Sequence, residues 1–311
     1  MKAVRIRAYG DRSVLQFEEA PKPDIKPDEA LVRIVAAAVN PVDWKIRQGH
    51  LKAFVPYAFP LTLGWDFSGV IEALGSEVSS FAVGDAVFSS PDIRRDGSYA
   101  EYIAVRAVEI AKKPKTISHV EAASIPLAGI TAWETIVSIG NLAAGQKALI
   151  HAASGGVGSL AVQIAKSRGA HVVATTSSAN VELVRSLGAD QVIDYRNERF
   201  ADKVKDVDLV VDTIGGEVQA SSWSVLRRGG VLVSTVSVPP AERATALGVR
   251  SAFVFISPNA PILDQLAGLV ESGRLRTLIG GEFALRDIGE AHALSESGRT
   301  VGMIVLYVGQ P

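Results

Sequence analysis

Two rhythms of apolar and polar positions divide the chain. From Met1 to about Val120 the apolar positions fall into short segments separated by Gly and Pro. Lys2–Arg7 alternates polar and apolar, as a half-buried strand does. Ala30–Val39 reads as a strand that Asn40-Pro41 stops. Phe67–Leu74 and Ala86–Phe88 are further strands, punctuated by Gly75 and Gly84, while Pro21, Pro23 and Pro27 mark an irregular connection. Short strands with turn signals every eight to twelve residues or so predict a sandwich or a partly open barrel. From about 121 to 260 strand and helix patterns alternate. Lys147–Ala153 is an apolar strand ending in a glycine turn, and the helix after it carries Val157, Leu160, Ala161, Ile164 and Ala165 at helical spacing before Gly169. His171–Thr176, Gln191–Asp194, Leu209–Asp212 and Val231–Ser237 are apolar or β-branched strands, and Val181–Leu187 is a short helix. Such runs suit strands covered on both faces, and alternating βαβ units imply a parallel, doubly wound sheet.

The remainder, from about 261, opens on a helix-like Pro261–Ser272 and closes on the apolar Gly302–Val308. It is too short for a core of its own, so the economical expectation is that it returns to the first domain. This gives an α/β protein in which a parallel-sheet domain, 122–260, is inserted into a mainly-β domain made of 1–121 and 261–311. The length of 311 residues agrees with two domains. Lys+Arg number 32 against 33 Asp+Glu, a balance that argues against broad binding to nucleic acid or to an anionic membrane. The absence of cysteine excludes disulfides, thiolate zinc sites, iron–sulfur clusters and cysteine nucleophiles. No apolar run approaches the ~20 residues of a membrane helix, and the charged start MKAVRIRAYG is no secretory signal. A cytoplasmic protein is the expectation.

The chemistry concentrates at Ala152-Ala153-Ser154-Gly155-Gly156-Val157-Gly158, between a strand and a helix. Against the dinucleotide pattern G-x-G-x-x-G, Gly155 and Gly158 take the second and third glycines, and Ala153 stands at the first. A bare backbone at Gly155 lets a diphosphate approach, Gly158 lets the helix lie close to the strand, and free N–H groups of Gly156, Val157 and Gly158 aim at the phosphates, with Ser154 beside them. The plainer alternative is a structural strand-to-helix turn. The next strand ends in Thr176-Ser177-Ser178-Ala179-Asn180, without the Asp or Glu that holds the ribose of NAD. Ser177 and Ser178, with Tyr195 and Arg196 just past the following strand, point to NADPH rather than NADH. Helix capping by Ser177 and a solvated Arg196 are the bland alternatives.

These residues resemble the medium-chain dehydrogenase/reductase superfamily, in its zinc-independent quinone oxidoreductase branch. The resemblance runs through Asn40-Pro41-Val42-Asp43, Gly64-Trp65-Asp66-Phe67-Ser68-Gly69-Val70, Phe81–Asp85, Gly97–Tyr102, Gly129–Trp133, the 152–158 turn, Leu187–Asp190 and Gly298–Thr300. It implies a GroES-like catalytic domain built from both chain ends around a Rossmann domain. It also implies a homodimer, paired through Val249–Ser257. Zinc-dependent relatives place Cys near position 40 and a His-Glu pair near 65–66, where this chain has Asn40, Trp65 and Asp66, so no zinc is expected.

Without a metal the acceptor must take hydride unaided, as quinones and α,β-unsaturated carbonyls do. The resemblance places Asn40 and Thr131 beside the nicotinamide, with Asp43 nearby, and Arg299 on the phosphate side. Asn40 also suits a turn residue before proline, and Asp43 a helix cap. Tyr57, with Trp44 and Trp65, is a candidate to line the substrate pocket, and it is only a weak substitute for a proton-donating Tyr. Enoyl-thioester reductases of this branch carry a Tyr sooner after the first block, where this chain has Gly49-His50-Leu51. The competing readings are a 2-alkenal or enoyl reductase with a defined substrate, and a cofactor-binding protein with little turnover.

Overall fold

The computed structural model describes residues 1–308. The chain forms two compact units: one from Met1–Leu127, Ser257–Ser272 and Thr277 onward, the other from Ala128–Ile256 with Gly273–Arg276.

The first unit is built on Glu29–Val39, whose sequence EALVRIVAAAV is buried on both faces for most of its length. Its neighbours Phe67–Leu74 and Tyr102–Arg106 pair with it antiparallel. The tail strand Met303–Tyr307 returns to the same strand, with Ile304 opposite Val39 and Leu306 opposite Ala37. These belong to a seven-stranded sheet, and Lys2–Ile6 lies at the centre of a three-stranded one. Val32, Ile34, Val39, Trp65, Phe67, Ile71, Tyr99 and Leu306 share one buried core. Pro41 ends the long strand but begins the helix Pro41–Arg47, because the first helical turn needs no N–H from it. Asn40, as the N-cap, is thereby fixed where strand becomes helix.

The second unit holds a six-stranded parallel sheet. Its order is Gln191–Asp194, His171–Thr176, Lys147–Ile150, Val207–Asp212, Leu226–Ser234, Arg250–Phe253. The chain winds outward one way from Lys147–Ile150, then returns to its other side. Ligands of such sheets bind at the carboxyl ends of the strands where the order reverses. Numbered in chain order, four strands depart from their expected bounds, the fourth by starting at Val207 rather than Leu209. The first stops at Ile150, because Ala152 takes a left-handed φ of 48° and turns the chain. The fifth begins at Leu226, through Arg227-Arg228-Gly229-Gly230, whose charges and glycines hide a strand that Arg227 anchors to Asp208 at 2.5 Å. The sixth is only Arg250–Phe253. Among the described residues no helix is long and apolar enough to cross a membrane.

Candidate active site

The turn after Ile150 is held by Ala153 N–H donating to Thr175 O (3.0 Å) and Gly155 N–H donating to Ala152 O (2.9 Å). The helix Gly156–Ser167 starts directly from it, with Gly155 as N-cap at φ −81°, ψ 178°. That backbone conformation is open to any residue, so Gly155 is not required for its torsions. A Cβ there would meet only Ala152 O, at 3.3 Å, so the missing side chain leaves open space in front of the helix. A Cβ on Gly158 would lie 2.3 Å from Ala152 O and 2.9 Å from the Ala153 Cα, so this glycine sets the approach of helix to turn. The N–H groups of Gly156, Val157 and Gly158 have no acceptor among the described residues. Open space, three unspent donors and the positive end of a twelve-residue helix fit a diphosphate.

Beside this cradle Ser154 Oγ accepts from Thr176 Oγ1 (3.0 Å) and Asn180 Nδ2 (3.3 Å), and Asn180 Nδ2 also reaches Ser177 Oγ (3.2 Å). Ser154, Ser177 and Asn180 are thus brought together. Ser178 points elsewhere: its hydroxyl donates to Asp194 Oδ2 at 2.5 Å. Asp194 also accepts from Asn197 Nδ2 (2.6 Å) and the Arg196 N–H (3.1 Å). The Ser178 hydroxyl, with the other donors, holds the Asp194 carboxyl below its ordinary range. Tyr195 is 58% exposed, its N–H bonded to Thr176 O (3.1 Å). Arg196 is also exposed. Arg299 belongs to the first unit, in the exposed turn after the helix Ile288–Glu296, where its N–H donates to Ser297 Oγ (3.2 Å).

The first unit, taken by itself, holds a buried polar network. Asn40 Nδ2 donates to Asp66 Oδ2 (2.7 Å), and Asp66 Oδ1 accepts from Leu127 N–H (2.7 Å). Asp43 Oδ2 accepts from the Asn40 N–H and the Tyr99 hydroxyl, both at 2.7 Å. Asn40 and Asp43 therefore form the cap of Pro41–Arg47, and Asp43 Oδ1 is buried with no partner among the described residues. Burial raises Asp43 to about 7 against the opposing pull of these two donors, and raises Asp66 well above its ordinary range. The chain continues from Tyr99 to His292 Nε2 (3.4 Å), from His292 Nδ1 to Arg47 (2.9 Å) and from Arg47 to Glu296 (2.6 Å). Tyr57 lies outside this network: its hydroxyl donates to Ile93 O (2.9 Å), and burial raises its pKa. Trp65 is core, with Nε1 donating to Arg95 O (3.2 Å), whereas the buried Trp44 Nε1 has no partner among the described residues. Thr131 is buried on the helix Pro126–Trp133. Sequence reasoning missed Tyr99, Arg47 and His292. They lie in different segments, and no local spacing links them.

Residues 26–115 match the family described as "Alcohol dehydrogenase GroES-like domain", and residues 187–306 match "Zinc-binding dehydrogenase". The chain is 38% identical to 2-methylene-furan-3-one reductase of Solanum lycopersicum, covering 99% of this chain and 79% of that protein. It is 36% identical, with the same coverage of each, to the NADPH-dependent alkenal/one oxidoreductase, chloroplastic, of Arabidopsis thaliana. Among solved structures, the quinone oxidoreductase from Coxiella burnetii superposes with a TM-score of 0.92 at 34% identity, covering 99% of each chain.

Proposed function

The chain belongs to the medium-chain dehydrogenase/reductase superfamily, in the branch of quinone oxidoreductases and enone reductases, and from that membership we propose that it transfers hydride from NADPH to a quinone or an α,β-unsaturated carbonyl. The observation that carries the reading is the glycine turn: three unspent N–H donors face space that a single Cβ at Gly155 would invade. When bound there, NADPH supplies the hydride. Gly156, Val157 and Gly158 hold its diphosphate. Ser154, Ser177 and Asn180, together with Tyr195 and Arg196, serve the adenosine side. The family resemblance assigns Arg299 to that side too, and Asn40 and Thr131 to the nicotinamide end. Asp43, through its bond to the Asn40 backbone, fixes the position of that asparagine. The arriving electron pair moves onto the acceptor's oxygen, and a proton from water completes the product.

Zinc has no part in this proposal. The family position of a zinc-binding cysteine holds Asn40, and its amide is engaged with the Asp66 carboxylate. Trp65 donates to a backbone carbonyl where zinc-dependent relatives carry histidine. We further propose a cytoplasmic homodimer paired through the outer edge of Arg250–Phe253.

The test is a panel of quinones, 2-alkenals and enoyl thioesters, following NADPH oxidation. Turnover of about 1–1000 per second with quinones or enones is the expected result. Binding of NADPH without turnover of any acceptor would instead favour a cofactor-binding protein.

A further inference from the structure

The carboxylate of Asp194 accepts from the Ser178 hydroxyl, one of the donors the sequence offers to a 2′-phosphate. We propose that Asp194 sets the chain's discrimination between the 2′-phosphate and the 2′-hydroxyl of the adenosine ribose, by competing with the phosphate for those donors. The inference rests on the cofactor reading above, because it needs a dinucleotide at the glycine turn.

The strand that follows the cradle, His171–Thr176, ends without an acid, and by sequence its hydroxyls invite a phosphate. Folding changes that balance. Gln191–Asp194 pairs in parallel with His171–Thr176, and the register sets Asp194 directly beside Thr176. An acid from the neighbouring strand thus reaches the end of the strand that lacked one. Its two oxygens accept from Ser178 Oγ (2.5 Å), Asn197 Nδ2 (2.6 Å) and the Arg196 N–H (3.1 Å). The Ser178 hydroxyl was among the donors expected to serve a phosphate, and here it serves a carboxylate. Ser177 is only an acceptor for Asn180, and Asn180 divides its amide between Ser177 and Ser154. Arg196 is the one cation on this stretch, Ser177 to Asn197 aside from Arg185 on the intervening helix, where Arg185 is paired with Glu182.

Two consequences follow from charge alone. A phosphate monoester carries between one and two negative charges near neutral pH, so it is repelled by a carboxylate fixed among its own donors. A ribose hydroxyl is not repelled, and can donate to that carboxylate in the manner of NAD-binding acids. NADPH is therefore held with a penalty that NADH escapes, and the preference between them is narrow.

The experiment measures binding rather than activity. Calorimetry with adenosine 2′,5′-bisphosphate and with AMP gives an affinity ratio for the 2′-phosphate, in the wild type and in Asp194→Asn. Asparagine keeps the size and one acceptor oxygen but loses the charge. The ratio is expected to rise about tenfold in the variant, equivalent to ~1.4 kcal/mol, with AMP affinity unchanged or lowered because its ribose hydroxyl loses a charged acceptor. The gain shrinks as salt is raised, which a loss of packing would not produce. Asp194→Ala, folded by its thermal melt, moves the ratio in the same direction. An unchanged ratio in both variants overturns the role of Asp194 and leaves the cofactor reading intact. Failure of the folded wild type to bind NADPH or either nucleotide overturns the cofactor reading and this inference with it.

Discussion

Gly155 and Gly158 stand three residues apart in one turn, yet they are glycine for different reasons. At Gly155 the protein leaves room: an added Cβ meets one backbone oxygen at 3.3 Å and nothing else within 4 Å. At Gly158 it leaves none, with Ala152 O only 2.3 Å from the same added atom. A Gly155→Val chain therefore folds, with stability within about 1 kcal/mol of the parent, and loses NADPH binding by fluorescence titration. A Gly158→Ala chain must shift the helix or the turn, and is expected to lose about 1–3 kcal/mol by urea denaturation. If Gly155→Val bound NADPH normally, the diphosphate would have to lie elsewhere. The same scale separates Ser177 from Ser178. Adjacent in sequence and equal as hydroxyls, they face different partners, Asn180 and Asp194.

At the scale of elements, the strands of the second unit were legible because each is a short apolar run covered on both faces. His171–Thr176 and Gln191–Asp194 have the bounds their sequences predict. What escaped had a physical reason. Ile279–Ala284 contains two glycines and a glutamate, so its pattern falls below a readable alternation. The helix Pro41–Arg47 hides behind a proline that reads as a stop but serves as a first helical residue. The candidate site was legible where it is local, in the 154–158 turn. It was opaque where it depends on pairing, as in Asp43 with Tyr99, or Ser178 with Asp194. The edge strand Arg250–Phe253 carries a prediction of its own. Among the described residues only its inner side is paired, to Leu226–Ser234, and it is followed by Phe255, 57% exposed. An unpaired edge with exposed aromatics is a template for a second copy. Replacing Phe253 and Phe255 by lysine is expected to convert a dimer to a folded monomer in sedimentation velocity. A wild type that sediments as a monomer, or a double variant that remains a dimer, would refute the pairing.

Across the whole molecule, the buried ionisable groups pull stability in opposite directions as pH changes. Burial lowers His119 and His151 to about 4 and His292 to about 3, so the folded chain resists protonation that the unfolded chain accepts near 6.5. Their contribution is present above that value and is lost as pH falls toward 4. Asp43 behaves in the reverse sense. Its folded value of about 7 exceeds its ordinary 3.8, because burial outweighs the donors Asn40 and Tyr99. The folded state then binds more protons than the unfolded one, so its contribution is greatest below about 4 and is lost as pH rises through 7. Asp66 adds to this second trend, and removing Asp43 alone isolates one group from the sum. Asp43→Asn keeps an acceptor for Asn40 N–H and Tyr99 but cannot ionise. The stability of Asp43→Asn relative to wild type should therefore climb between about pH 4 and pH 7, by a few kcal/mol in order of magnitude, and level off above. Urea denaturation of both chains at four pH values across that range checks it. A stability difference that stays constant with pH would mean that Asp43 is charged throughout, with its unpartnered Oδ1 reached by water rather than sealed in the core.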